Sequence, residues 1–123
     1  MSDYDSEFHK CLDKGKAIKN KLNKRTENIT NKTPNSQLDN NIKESLEEFS
    51  KIVLNLKNIT SNANTSNQEL NRRKDNNNKL EEMLLECKKQ MEINQANLSV
   101  IIYDRIFHVK IIKTFKQIIK LSK

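Results

Sequence analysis

The chain of 123 residues has one Gly, one Pro, no Trp and six aromatic residues in all. A β protein or an α/β enzyme turns often and uses many glycines at its corners, so their near absence argues for long helices with few turns. Only two cysteines occur, Cys11 and Cys87, which fit a reducing compartment better than a disulfide framework. No window of about 18 apolar residues reads as a transmembrane helix, and the first 20 residues lack the apolar run of a secretory signal. The sequence is therefore of cytosolic type. Catalytic signatures are missing as well: there is no glycine-rich phosphate loop, no GxSxG and no HExxH. His9 and His108 stand far apart, and His9 and Cys11, two residues apart, point to different faces of a helix. No enzymatic activity, cofactor, metal or small-molecule substrate is expected.

Charge is what the chain has in abundance: 32% of its residues are charged and the net charge is +7. The excess is unevenly placed. Residues 1–97 are nearly balanced, with 17 basic and 15 acidic groups, whereas residues 98–123 hold six basic groups against Asp104 alone. A balanced helical surface is ordinarily just solvated, so nucleic acid is not an expected partner. Asn, Lys and Ile together make up 50 residues, all with A/T-rich codons. That bias weakens any motif built on Asn or Lys, the five N-x-S/T sequons included.

The central stretch, residues 36–64, organises the rest. Leu38, Ile42, Phe49, Ile52, Leu56, Ile59 and Ala63 fall on one seam at alternating steps of four and three, with Ser45 in its polar slot. Pro34 precedes it, and Ser36 with Asp39 resembles a capping box. A helix of this length, roughly 40 Å, needs partners to bury its stripe. The first partner is a helix over residues 3–30, where Tyr4, Phe8, Cys11, Gly15, Ile18, Leu22, Arg25 and Ile29 keep the same spacing. A polar link at 31–35 joins the two. The second partner starts after Ser66, which forms a capping box with Glu69, and continues through Leu70, Leu80, Leu84, Cys87, Met91 and Leu98. The nine residues 71–79 of this helix lack any apolar side chain, which makes them the expected loose end of the packing. Short links force antiparallel neighbours, so the expected fold is all-α: an up-down-up three-helix bundle over residues 1–97, with a thin core.

Residues 98–123 change character. They are dense in Ile, Val and Phe, with no Gly or Pro to separate them from the third helix, which is expected to run on to about residue 121. Lys113, Lys116 and Lys120 recur along one side, while Ile112, Phe115 and Ile119 lie largely on the other. That is the pattern of a basic amphipathic helix for an anionic membrane or a helix-binding groove. Two further readings stay open: the same residues close the bundle as core, or the segment is not a native C-terminus. A second candidate contact is Arg72-Arg73-Lys74, basic residues at the start of the third helix. They oppose the helix dipole there, so helix stability does not explain them.

Residues 4–97 resemble the N-terminal helical region of Golgi Qb-SNAREs of the membrin type. The resemblance rests on Phe8-His9-Lys10, on Ile42-Lys43-Glu44-Ser45-Leu46-Glu47-Glu48-Phe49, and on Glu69-Leu70-Asn71-Arg72-Arg73-Lys74-Asp75, together with the helix and link lengths. It implies a role in vesicle transport between endoplasmic reticulum and Golgi, on the cytoplasmic face of those membranes or in the cytosol. It also implies SNARE or tethering proteins as partners. The family's SNARE core helix with its central Gln, and its membrane anchor, are not recognised in residues 98–123, so fusogenic activity is not carried over. The alternatives are a self-associating coiled-coil scaffold subunit and a peripheral membrane-binding helical protein.

Overall fold

The protein is described by a computed structural model covering residues 3–30 and 36–122, with the side chains of Thr30 and Ser36 outside the description. Three helices account for it: α1 Asp3–Thr30, α2 Ser36–Ser61 and α3 Asn67–Ser122. All three pack on one another. The predicted link at 31–35 and the Ser36 cap lie outside the described residues. Ser66 does cap α3, its Oγ accepting from the Glu69 amide at 3.2 Å.

The order is up-down-up. The start of α1 meets the end of α2 and the start of α3, while the end of α1 meets the start of α2 and the middle of α3. Surface ion pairs cross each interface, among them Lys14 with Glu48, Lys19 with Glu86, and Lys57 with Glu81. Such pairs contribute little to stability, and the apolar seams supply the cohesion.

Along α1 the seam is the one the spacing predicts: Tyr4, Cys11, Gly15, Ile18, Leu22, Arg25 and Ile29 are buried, and Phe8 is half-buried against the core. Gly15 is required by close approach. A Cβ at this position would sit 2.9 Å from the Phe49 ring and closer still to Met83 Sδ, so the helices meet here over a bare backbone.

The seam of α2 is displaced by one residue at alternate steps. Leu46, Val53 and Thr60 are buried with Ile42, Phe49 and Leu56, whereas Ser45 and Ile52 are half-buried and Ile59 is exposed. This register takes Leu46, Val53 and Thr60 into the core in place of Ser45, Ile52 and Ile59, and the buried Thr60 hydroxyl is satisfied by Asn77 of α3 and the Leu56 carbonyl.

The start of α3 also differs from expectation. Residues 71–79 lack apolar side chains, yet a buried polar layer fills the space. The Tyr4 hydroxyl donates to Asn77 Oδ1 at 2.6 Å, sharing its proton with the Arg73 carbonyl oxygen at 3.0 Å. Asn77 Nδ2 donates to Thr60 Oγ1 at 2.9 Å, and that hydroxyl donates in turn to the Leu56 carbonyl. One chain of hydrogen bonds thus ties all three helices.

A second polar layer closes the other end of the core. Arg25, 1% exposed at its side chain, forms a two-pronged pair with Asp39 of α2, Nε to Oδ1 and Nη2 to Oδ2. Beside it Thr26, Gln90 and the buried Asn94 bond to one another across α1 and α3. Among the described residues no buried side-chain nitrogen or oxygen lacks a partner. The apolar core, centred on Ile18, Phe49 and Leu80, is clamped between these layers.

Candidate interaction site

The Arg72-Arg73-Lys74 turn is built into the bundle. Arg72 donates to Glu69 and, through Nη2, to Asp5 Oδ1 of α1 at 2.9 Å. Arg73 donates to the same Glu69 at 3.0 Å, and its guanidinium lies 4.8 Å over the Tyr4 ring. The two arginines hold the Glu69 carboxyl far below its ordinary range, at about 2. They fasten the start of α3 to the start of α1. The Glu69 carboxylate, claimed by the arginines, leaves Ser66 to supply the capping bond. Lys74 is exposed and borders a shallow groove with Lys57 and Asn78.

Both cysteines are core residues. Cys11 is fully buried and Cys87 is 2% exposed. Burial pushes the Cys11 thiol up to about 11 and raises that of Cys87 in the same direction. A thiol held protonated in this way is a poor nucleophile and a poor metal ligand. No group of three His, Cys, Asp or Glu among the described residues could hold a metal ion. The larger depressions are helix–helix grooves: about 420 Å3 between α2 and α3 beside Leu46 and Met91, and about 300 Å3 between α1 and α3 beside Leu22 and Ile93. Their rims are lysines and glutamates paired or facing solvent, with no convergent polar set.

The remaining candidate residues lie on the overhang. The packing of α3 against its partners ends near Ile101, which lies beside Ile29 and Thr26. From there the helix continues alone to Ser122, roughly 30 Å at 1.5 Å per residue. Every residue from 102 to 122 is exposed, including Ile112 at 53%, Phe115 at 63% and Ile119 at 52%. The expectation that these residues close the bundle as core is therefore not met within one chain. They form an apolar stripe with no partner among the described residues, and Lys113, Lys116 and Lys120 stand on the other side of the helix.

The stripe is not continuous, which single-seam reading missed. Val100, Ile102, Tyr103, Ile106 and Phe107 define one apolar arc, and Ile111, Ile112, Phe115, Ile118 and Ile119 define another. At about 100° per residue the two arcs are turned by roughly 130° from each other. Arg105 and His108 sit where the bundle seam would continue, and Asp104 lies beside them. A residue-by-residue projection of 99–122 carries the signal, because the switch is set by the sequence itself. No helix among the described residues is long and apolar enough to cross a membrane.

The arrangement defines an all-α three-helix bundle with an overhanging basic amphipathic helix. Compared with known proteins, the chain matches no family model, no curated protein and no solved structure.

Proposed function

We propose that the chain is a non-enzymatic helical interaction module of vesicle traffic between endoplasmic reticulum and Golgi, similar to the regulatory region of membrin-type SNAREs. The observation that carries the reading is the overhang: α3 leaves a self-sufficient bundle and presents apolar side chains over about six turns. Such a surface has to be covered by something else. The up-down-up order and the lengths of α1 and α2 support the resemblance to that family. The partners are then SNARE or tethering proteins that pair with helix faces, on the cytoplasmic side of Golgi and endoplasmic reticulum membranes. The test is depletion of the protein followed by the timing of a secretory reporter. Delayed arrival at the Golgi, restored by the intact chain, supports the reading; an unchanged time course on complete depletion sinks it.

A self-associating scaffold is the second reading, favoured by the additional exposed arc from Val100 to Phe107. Sedimentation across a range of concentrations separates the two. A strictly monomeric chain removes the scaffold.

A further inference from the structure

We infer that residues 110–121 form a docking face for an anionic phospholipid surface. The segment belongs to the overhang on which the traffic reading also draws, but it lies outside the residues that carry the family resemblance, so vesicle flotation can fail while the secretory reporter still responds. Its apolar arc consists of four isoleucines and Phe115, all exposed. Lys110, Lys113, Lys116 and Lys120 occupy an arc whose centre is roughly 155° away at about 100° per residue. After Asp104 no acidic residue follows in the sequence. A three-turn helix with one apolar side and an opposite side of four lysines and no acid lies flat at a lipid interface. Its apolar side sinks toward the acyl chains and its lysine stems reach up to phosphate oxygens.

Geometry leaves this face accessible. The overhang extends beyond the packed part of α3, and every residue from 110 to 121 is exposed. A second copy of the chain fits it less well. Residues 110–121 span fewer than two heptads, against the three to four or so that a coiled coil requires. The arc from Val100 to Phe107 faces another direction and does not extend it. A protein groove would need acidic side chains around an apolar floor, and the grooves of this bundle carry lysines on their rims as well as glutamates. The lipid surface asks for no shape beyond the two arcs that are present.

The test uses the full chain and flotation with vesicles of phosphatidylcholine, with and without phosphatidylserine. Binding at least about tenfold tighter to the anionic vesicles is expected, weakening as salt is raised. The triple variant K113E/K116E/K120E is expected to lose the preference for anionic lipid, and Ile112→Asp with Ile119→Asp is expected to lose binding altogether. Both variants should keep the wild-type thermal transition, because none of these side chains touches the bundle. Failure of the wild-type chain to float, or equal flotation of the charge-reversed variant, overturns the inference. So does tail-dependent self-association or capture by a protein partner without vesicle binding.

Discussion

The bundle and its overhang are joined by one unbroken helix, α3, yet they treat polar and apolar residues in opposite ways. Inside the bundle, Arg25, Thr60, Asn77 and Asn94 are buried. On the overhang, Val100, Phe107, Phe115 and Leu121 are exposed. What separates the regions is the company of other helices rather than the composition of each. A polar side chain tolerates burial when another helix brings its partner within hydrogen-bond reach. An apolar side chain stays in water when no second helix is there to receive it. Helical propensity is common to both halves of α3, and the tertiary neighbour decides the rest.

The sharpest way to break this comparison is to make the same substitution in both regions. Phe49→Ala opens a cavity at the centre of the core and should cost about 4 kcal/mol, a large share of the 5–15 kcal/mol or so that stabilises an ordinary domain. Phe115→Ala should change unfolding by less than about 0.5 kcal/mol, because the ring is exposed and contacts no other helix. Urea unfolding followed by circular dichroism measures both. Equal losses would mean that the overhang folds back onto the bundle in solution.

A smaller effect is expected at the clamp between Arg25 and Asp39. Asp39→Ala removes the two-pronged partner of a buried guanidinium and should cost about 3 kcal/mol, at the low end for such pairs since the aspartate keeps 27% of its side-chain surface. The double variant, Arg25→Met with Asp39→Leu, removes both charges and should recover most of that loss. A double variant as unstable as Asp39→Ala would show that the pair is stabilising in its own right.

How much of this was legible in the sequence follows the same division. The seams of α1 and α3 could be read because each places its polar members at regular seam positions, and regularity survives projection onto one helix. The α2 seam could not. Read alone, Ile59 is the better core residue and Thr60 the worse, so the stripe runs through Ser45 and Ile59. The structure buries Thr60 because Asn77, on another helix, uses its hydroxyl. The same blindness applies to residues 71–79, which look like a weak point until Tyr4 and Thr60 are set opposite them. Among the candidate contacts, the tie of Arg72 to α1 was not legible because Asp5 lies 67 positions away in sequence. The overhang was legible as a helix, while its split into two arcs needed a projection residue by residue. With no tertiary partner among the described residues, its arcs are what the sequence alone dictates.

The finest test of the comparison is acid. Glu69 is bonded to two arginines in the folded chain and has its carboxyl at about 2, against an ordinary value of 4.5. As pH falls below 4.5 the unfolded chain takes up a proton at this position while the folded chain resists. The stability that Glu69 contributes is thus complete above that pH and drains away between 4.5 and about 2. Glu48, lowered in the same direction by Lys14, adds to the loss. Both carboxylates are at the surface, where water screens them, so the effect is the smallest of the three. Glu69→Gln should lower the urea midpoint at neutral pH and flatten its fall in acid, because the glutamine has no proton to gain. The overhang supplies the internal control. Its single carboxylate, Asp104, faces His108 across one turn at 3.8 Å and joins no second helix. Asp104→Asn should therefore leave the acid limb of the bundle unchanged. A limb that flattened with Asp104→Asn and persisted with Glu69→Gln would move the acid-sensitive contact from the bundle to the overhang.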